Sequence, residues 1–198
     1  LHLGIFSSNT CYWQMRLEPS RFTGEPDRTM VAYKENTPWH DPLSTDRDPE
    51  NDHLVTTRWR SAPVNRPEAD LLGSMYIEVD HPVDGDFVIQ DVEPWLLEKT
   101  GLSRGALLPG VAGYEVDGLS TSSPAGTSVV ARMADSRTPG AVTLYRAASG
   151  ALVFATGSMQ WSWGLDDYQA PELRKSVMNP AVRQITRNVL ARFARADD

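Results

Sequence analysis

In the stretch SSNTCYWQMRLE, Ser7 to Glu18, residues able to do chemistry crowd together directly after the apolar run Leu3 to Phe6. An apolar strand that stops at small polar residues and then delivers Asn, Cys, Tyr, Trp and Arg suits the rim of a pocket. Cys11 is a candidate nucleophile, Asn9 a candidate polarising amide, and Tyr12 and Trp13 a candidate substrate wall. The competing reading is a strand end packed with aromatics. A cysteine nucleophile needs a nearby base, usually His, and small neighbours where the turn is strained. Cys11 instead stands between Thr10 and the bulky pair Tyr12-Trp13, and none of His2, His40, His53 and His81 ends a well-marked strand. An inert, half-buried thiol is therefore the favoured expectation for Cys11.

Three further groups could carry chemistry. GSMQWSWGLDD, Gly157 to Asp167, follows a strand-like run ending at Thr156, so that Gln160, Trp161 and Trp163 would project from a strand's carboxyl end, where open α/β sheets place ligands. Gln160 and Trp161 are thus candidate substrate-binding residues. Packing of both tryptophans beneath the closing helix explains them equally well. GYEVDG, Gly113 to Gly118, offers Glu115 and Asp117 as a carboxylate pair, although alternation on an exposed strand face is the favoured explanation. Asp46, Asp48, Glu50 and Asp52 imitate the start of a calcium loop but lack its glycine and closing glutamate, which leaves a solvated acidic loop.

The elements that must position these residues follow from patterning. Leu1 to Phe6 predicts a buried strand of a parallel sheet, with further strands at Tyr12 to Leu17, Met30 to Lys34, Phe87 to Gln90, Ser128 to Met133, Val142 to Arg146 and Leu152 to Thr156. Ser149-Gly150 would turn the last two into a hairpin. Short helices are expected over Asn65 to Gly73 and Pro94 to Thr100. Asn179-Pro180 opens a longer one, whose apolar Val182, Ile185, Val189, Leu190 and Phe193 recur at three- and four-residue steps. Four prolines among many acids make 36–64 a long irregular excursion. With 198 residues, 40% of them apolar, a single domain spanning 1–198 is the expectation.

Composition narrows the partners. A net charge of −7 without a Lys/Arg run argues against nucleic acid or an anionic membrane as a partner. One cysteine and four scattered histidines give neither a disulfide nor a zinc-ligand spacing. No apolar run is long enough to span a membrane, and a signal peptide is not evident. The compartment stays open, with a cytoplasmic one favoured. A start directly in a strand, without Met, suggests a piece of something longer.

Five stretches, in order and over almost the whole chain, resemble the C-terminal domain of the N,N-dimethylformamidase large-subunit family. They are SSNTCYWQMRLE, TRWRSAPVNRPEADLLGSMY, WLLEKTGLSRGALLPGVAGYEVDG, GALVFATGSMQWSWGLDD and NPAVRQITRNVLARF. The resemblance implies an α/β, flavodoxin-like sandwich similar to class I glutamine amidotransferases, incomplete at its N-terminal side and lacking the Cys-His-Glu chemistry of those enzymes. It also implies an amidase whose mononuclear iron is held by two tyrosines and a glutamate from a His-x-Glu segment, with an asparagine from the next strand end lining the same pocket. Asn9 matches that asparagine. The iron ligands would precede Leu1, so no metal ligand is expected in this chain. Its partners would be the polypeptide upstream, a small amide substrate and, in a homo-oligomer, its own copies. Isolated, it should be inactive. The alternative is a non-catalytic binding or assembly module using Tyr12, Trp13, Trp39, Trp59, Trp161 and Trp163 as an aromatic surface.

Overall fold

Short β-branched and apolar runs bounded by turn residues become strands, as their patterning requires. The computed structural model describes residues 1–46 and 48–195. Its strands are β1 Leu3–Ile5, β2 Arg16–Glu18, β3 Thr29–Val31, β4 Met75–Tyr76, β5 Asp84–Ile89, β6 Leu107–Gly113, β7 Asp117–Gly118, β8 Ser128–Met133, β9 Ala141–Arg146 and β10 Leu152–Ala155. The α-helices are α1 Thr37–His40, α2 Pro42–Thr45, α3 Ala69–Leu72, α4 Ala170–Leu173 and α5 Pro180–Phe193. The architecture is therefore mixed α/β, as expected, and the chain divides into two units: Leu1–Thr10 with Ala69–Asp198, and Cys11–Glu68.

The first unit is built on a six-stranded sheet in the order β1-β10-β9-β8-β5-β6. Its neighbours are antiparallel except β1 and β10, which run parallel. β1 keeps the parallel pairing expected of it but lies at the sheet's edge, so Ile5 is buried while Leu3 stays exposed. Side chains on β10 alternate between the two faces. Leu152 and Phe154 join the main core with Phe87, Ile89 and Trp161, while Val153 and Ala155 join a smaller cluster with Ile5, Leu72 and Tyr145. β6, not expected from the sequence, contains Pro109 and Gly110. An edge position tolerates a residue with no N–H to give. Opposite it β5 bulges between Gly85 and Phe87, and the Asp86 carboxylate accepts the Gly110 N–H at 2.8 Å.

α5 covers the main core with Val182, Ile185 and Val189, each burial contributing about 1.5–3 kcal/mol. Asn179 caps it, its Oδ1 accepting from the N–H groups of Ala181 at 2.9 Å and Val182 at 3.4 Å, with Pro180 in the first turn. Leu190, expected in the apolar stripe, is exposed. The helix predicted over Asn65 to Gly73 shrinks to α3, because Asn65 takes φ +49 and Gly73, at φ +81, ends it.

The second unit is organised differently. Its β2–β3 ribbon is followed by short helical turns, including those that occupy the predicted 36–64 excursion. Among its described residues Val55 and Val64 are the buried apolar side chains, whereas Gln14, Thr37, Asp41, Thr56 and Glu68 are buried polar ones. Asp41 has no exposed side-chain surface, and Arg16 Nη1 and Nη2 donate to it at 3.2 and 3.1 Å. The N–H and Oγ1 of Thr56 donate to it at 2.9 and 2.7 Å. Gln14 Nε2 bonds the carbonyls of His53 and Val55 at 2.7 and 3.0 Å. Arg60 forks onto Glu68, with Nη2 at 2.8 Å from Oε1. No described helix is long and apolar enough to cross a membrane.

Candidate functional site

β1 delivers Asn9 to a corner of the sheet unit. Thr156, just after β10, donates its N–H to Ile5 at 2.9 Å and its Oγ1 to Ser7 at 3.3 Å, which fixes where β1 ends. The chain then turns, Asn9 adopting the left-handed conformation at φ +53 that Asn tolerates better than most residues. Its backbone N–H donates to Asp117 Oδ1 at 2.8 Å. Asp117 is 1% exposed and is itself fixed through its N–H to the carbonyl of Gly157 at 2.9 Å. The Asn9 side-chain carbonyl Oδ1 is buried and accepts no hydrogen bond. An Asn carbonyl at such a turn commonly caps nearby backbone N–H groups, and this one does not.

Other polar groups of the same unit share this condition. Ser8 Oγ and Glu115 Oε2 are also buried without a partner. Each such atom costs about 1–3 kcal/mol when nothing bonds it, so these are positions where a ligand, water or further polypeptide would be stabilising. Tyr76 lies directly across from Asp117 in the β4–β7 pair. Its phenol is held above the usual range first by burial and then by the charges of Glu115, Glu78 and Asp117. The carboxylates of GYEVDG are therefore not an exposed alternating face: Asp117 is buried as an anchor for Asn9, and Glu115 is half-buried. Sequence reasoning missed Tyr76, because only the pairing of two-residue strands brings it to Asp117.

Gln160, Trp161 and Trp163 separate. They sit in the 3₁₀ turn Met159–Gly164, whose start is capped by Ser158 Oγ accepting from Gln160 N–H at 3.1 Å. Trp161 has no exposed surface; it packs on Phe87 and Phe154, and its Nε1–H donates to Thr186 Oγ1 at 3.1 Å. It has no face to offer a substrate, so of the two roles weighed for it the packing role is the one its position fits. Gln160 and Trp163 line a cavity of about 600 Å³ together with Asp86, Gly110, Arg174 and Lys175. Asn9 is not among the residues lining that cavity.

Tyr12 and Trp13 belong to the Cys11–Glu68 unit, where their rings meet edge to face with centroids 5.1 Å apart. The Arg58 guanidinium lies 5.0 Å from the Tyr12 ring and 5.6 Å from the Trp13 ring, and that of Arg60 lies 5.2 Å from Tyr12. Trp59 is covered in the same way by Arg66 at 5.2 Å. Cys11 is exposed at φ +59, its thiol pushed up first by partial burial and then by the charge of Glu68. A raised thiol is a poor nucleophile at neutral pH.

Among the described residues no group of three or more His, Cys, Asp or Glu is placed to hold a metal ion. Compared with known proteins, residues 1–175 match the sequence model of a family described as N,N-dimethylformamidase beta subunit-like, C-terminal. The match takes in Asn9, the corner around it and the turn bearing Gln160, and stops short of α5. No curated protein gives a match.

Proposed function

Because the chain belongs to the N,N-dimethylformamidase beta subunit-like, C-terminal family, we propose that it supplies one wall of an amidase-type pocket, with Asn9 as the side chain that meets the substrate. The observation that carries this reading is the state of Asn9. It stands at a strand's carboxyl end, its backbone is pinned to a buried carboxylate, and its amide carbonyl is not used by the turn. In this reading the unpartnered Oδ1 accepts an N–H of a small amide substrate, and the Nδ2–H group beside it donates to the oxyanion that forms when the substrate carbonyl is attacked. Such a donor contributes about 2.7–4 kcal/mol, or roughly 10²–10³ in kcat.

The finer parts of the reading are proposals of the same kind. Iron, where the parent protein uses it, would be held by ligands upstream of this segment and would supply the attacking hydroxide. The flavodoxin-like layering would be completed on the β1 side, where β1 ends the sheet and pairs parallel with β10. The segment alone would then be inactive, and its first partner would be the rest of its own polypeptide. The aromatic-surface alternative has less support: Trp161 is core, arginines cover Tyr12, Trp13 and Trp59, and of the six rings Trp39 alone is broadly exposed, at 73%.

The test is hydrolysis of N,N-dimethylformamide and simple N-alkyl formamides by the full-length polypeptide and by its Asn9→Ala variant. We expect kcat to fall roughly 10²–10³-fold with an unchanged melting temperature. Turnover within a few fold of the parent, or turnover by the 198-residue segment alone, would refute a shared pocket with Asn9 in it. A parent inactive on every formamide tried would refute the amidase reading itself.

A further inference from the structure

The cavity lined by Gln160 and Trp163 is a second place with the features of a binding site, and it stands on different residues from the Asn9 corner. Its volume of about 600 Å³ is in the range of small-molecule sites. One wall is the bulged start of β5 with Asp84 and Asp86; the other is the segment between α4 and α5, with Arg174 and Lys175. The two walls carry opposite charge, yet among the described residues none of these four side chains pairs across the cavity. Close approach of the walls is set by Gly110, where a Cβ would come within 2.7 Å of Val177 Cγ1.

Two buried atoms on this lining lack partners. Gln160 is 7% exposed, and its Oε1 receives no hydrogen bond. Arg174 stacks its guanidinium on Trp163 at 4.9 Å and gives Nη2 to the Asp166 carbonyl at 3.2 Å, but its buried Nε has no acceptor. One orphan is an acceptor and the other a cationic donor. A ligand that satisfies both must present an N–H and an anionic or carbonyl oxygen. Gln160 Oε1 and Asp84 Cα both lie about 3 Å from where a Gly113 Cβ would stand, and Asp86 keeps one carboxylate oxygen on Gly110 N–H. Lys175 follows Arg174 in the same segment and also lines the cavity. Trp163, Pro109 and Val177 add apolar surface to the lining.

We propose that this cavity binds a small aliphatic amino-carboxylate zwitterion. Its carboxylate lies on Arg174 and Lys175, its ammonium on Gln160 Oε1, Asp86 and Asp84, and its methylene chain against Trp163. The proposal does not depend on Asn9 or on amide hydrolysis, so either can fail alone.

The test is an NMR titration of the ¹⁵N-labelled chain with glycine, 4-aminobutanoate and 6-aminohexanoate, with hexanoate and hexylammonium as single-charge controls. We expect at least one zwitterion to shift the Gln160 side-chain amide and the Trp163 indole in the millimolar range. Each control should bind at least about tenfold more weakly, because charge-assisted bonds at both ends are needed. Arg174→Met and Asp86→Asn should each weaken binding about tenfold. Should either variant lose its fold, the exposed Lys175→Met carries the same expectation. No shift with any zwitterion, shifts confined to other residues, hexanoate binding as tightly as 6-aminohexanoate, or unchanged affinity in folded variants would each overturn the assignment.

Discussion

The sheet unit and the Cys11–Glu68 unit are held together by different physics. In the first, Phe87, Phe154, Trp161, Val182 and Ile185 are removed from water in one continuous apolar core. In the second, the interior is a hydrogen-bonded ion pair, Arg16 with Asp41, surrounded by Thr56, Thr37 and Gln14. Apolar burial is non-directional and insensitive to pH. A buried ion pair works only while both partners are charged and every lone pair is met. The difference teaches where each region will fail: the sheet by loss of volume, the other unit by loss of one charge.

Removing volume should have the largest effect. Trp161→Ala would empty the space between Phe87 and Phe154 and leave Thr186 Oγ1 without its indole donor. Large-to-small changes of this kind cost about 3–5 kcal/mol. Thermal unfolding followed by circular dichroism should register a large fall in melting temperature. A small fall, together with altered ligand binding, would break the comparison and return Trp161 to a pocket wall.

Removing the charge should act locally and with acid. Burial alone would raise the Asp41 pKa, but its bonds to Arg16, Thr56 and Leu43 outweigh burial and hold the carboxyl below its ordinary value. Because the folded value is depressed, the stabilisation is fully present above the ordinary aspartate value of about 4 and is lost as pH falls through the folded one. NMR cross-peaks of the Cys11–Glu68 unit should therefore weaken on acidification below about pH 4 before those of β8, β9 and β10. Asp41→Asn should weaken the same unit already at neutral pH, by about 1–3 kcal/mol, since Arg16 loses its buried carboxylate and keeps only the carboxylate of Glu18, at 2.9 Å from its Nε. Equal acid sensitivity of the two sets of peaks would show that the units do not differ in the way their interiors suggest.

What the sequence made legible follows the same division. β8, β9, β10 and α5 lie close to where periodicity placed them, because apolar cores write themselves into spacing: β8 occupies Ser128–Met133, and Asn179-Pro180 opens α5. β6 was hidden, since Pro109 and Gly110 look like a break until an edge position excuses them. The interior of the Cys11–Glu68 unit could not be read, because Arg16 and Asp41 are brought together by the fold and carry no period. The candidate site was legible in part. Asn9 announced itself as a polar residue after a strand, but its anchor Asp117, and Tyr76 across from that anchor, are distant in sequence, and Gln160 was paired with Trp161, which turns inward.

Cys11 gives the smallest and sharpest test, because it sits where the polar unit begins. Its thiol is pushed up by partial burial and next by Glu68, a carboxylate that Arg60 already engages through two nitrogens. If charge organises this region, alkylation by iodoacetamide at neutral pH should be slower than for free cysteine, and Glu68→Gln should speed it. The gain should stay under about tenfold, since tenfold would need a whole pKa unit from one neighbour that is not the leading cause. Labelling as fast as that of an activated thiolate would mean that a cation, not Glu68, governs the sulfur. Cys11 would then recover the nucleophile's role that its bulky flanks argue against, and the picture of this unit as a set of mutually satisfied charges would fail at its first residue.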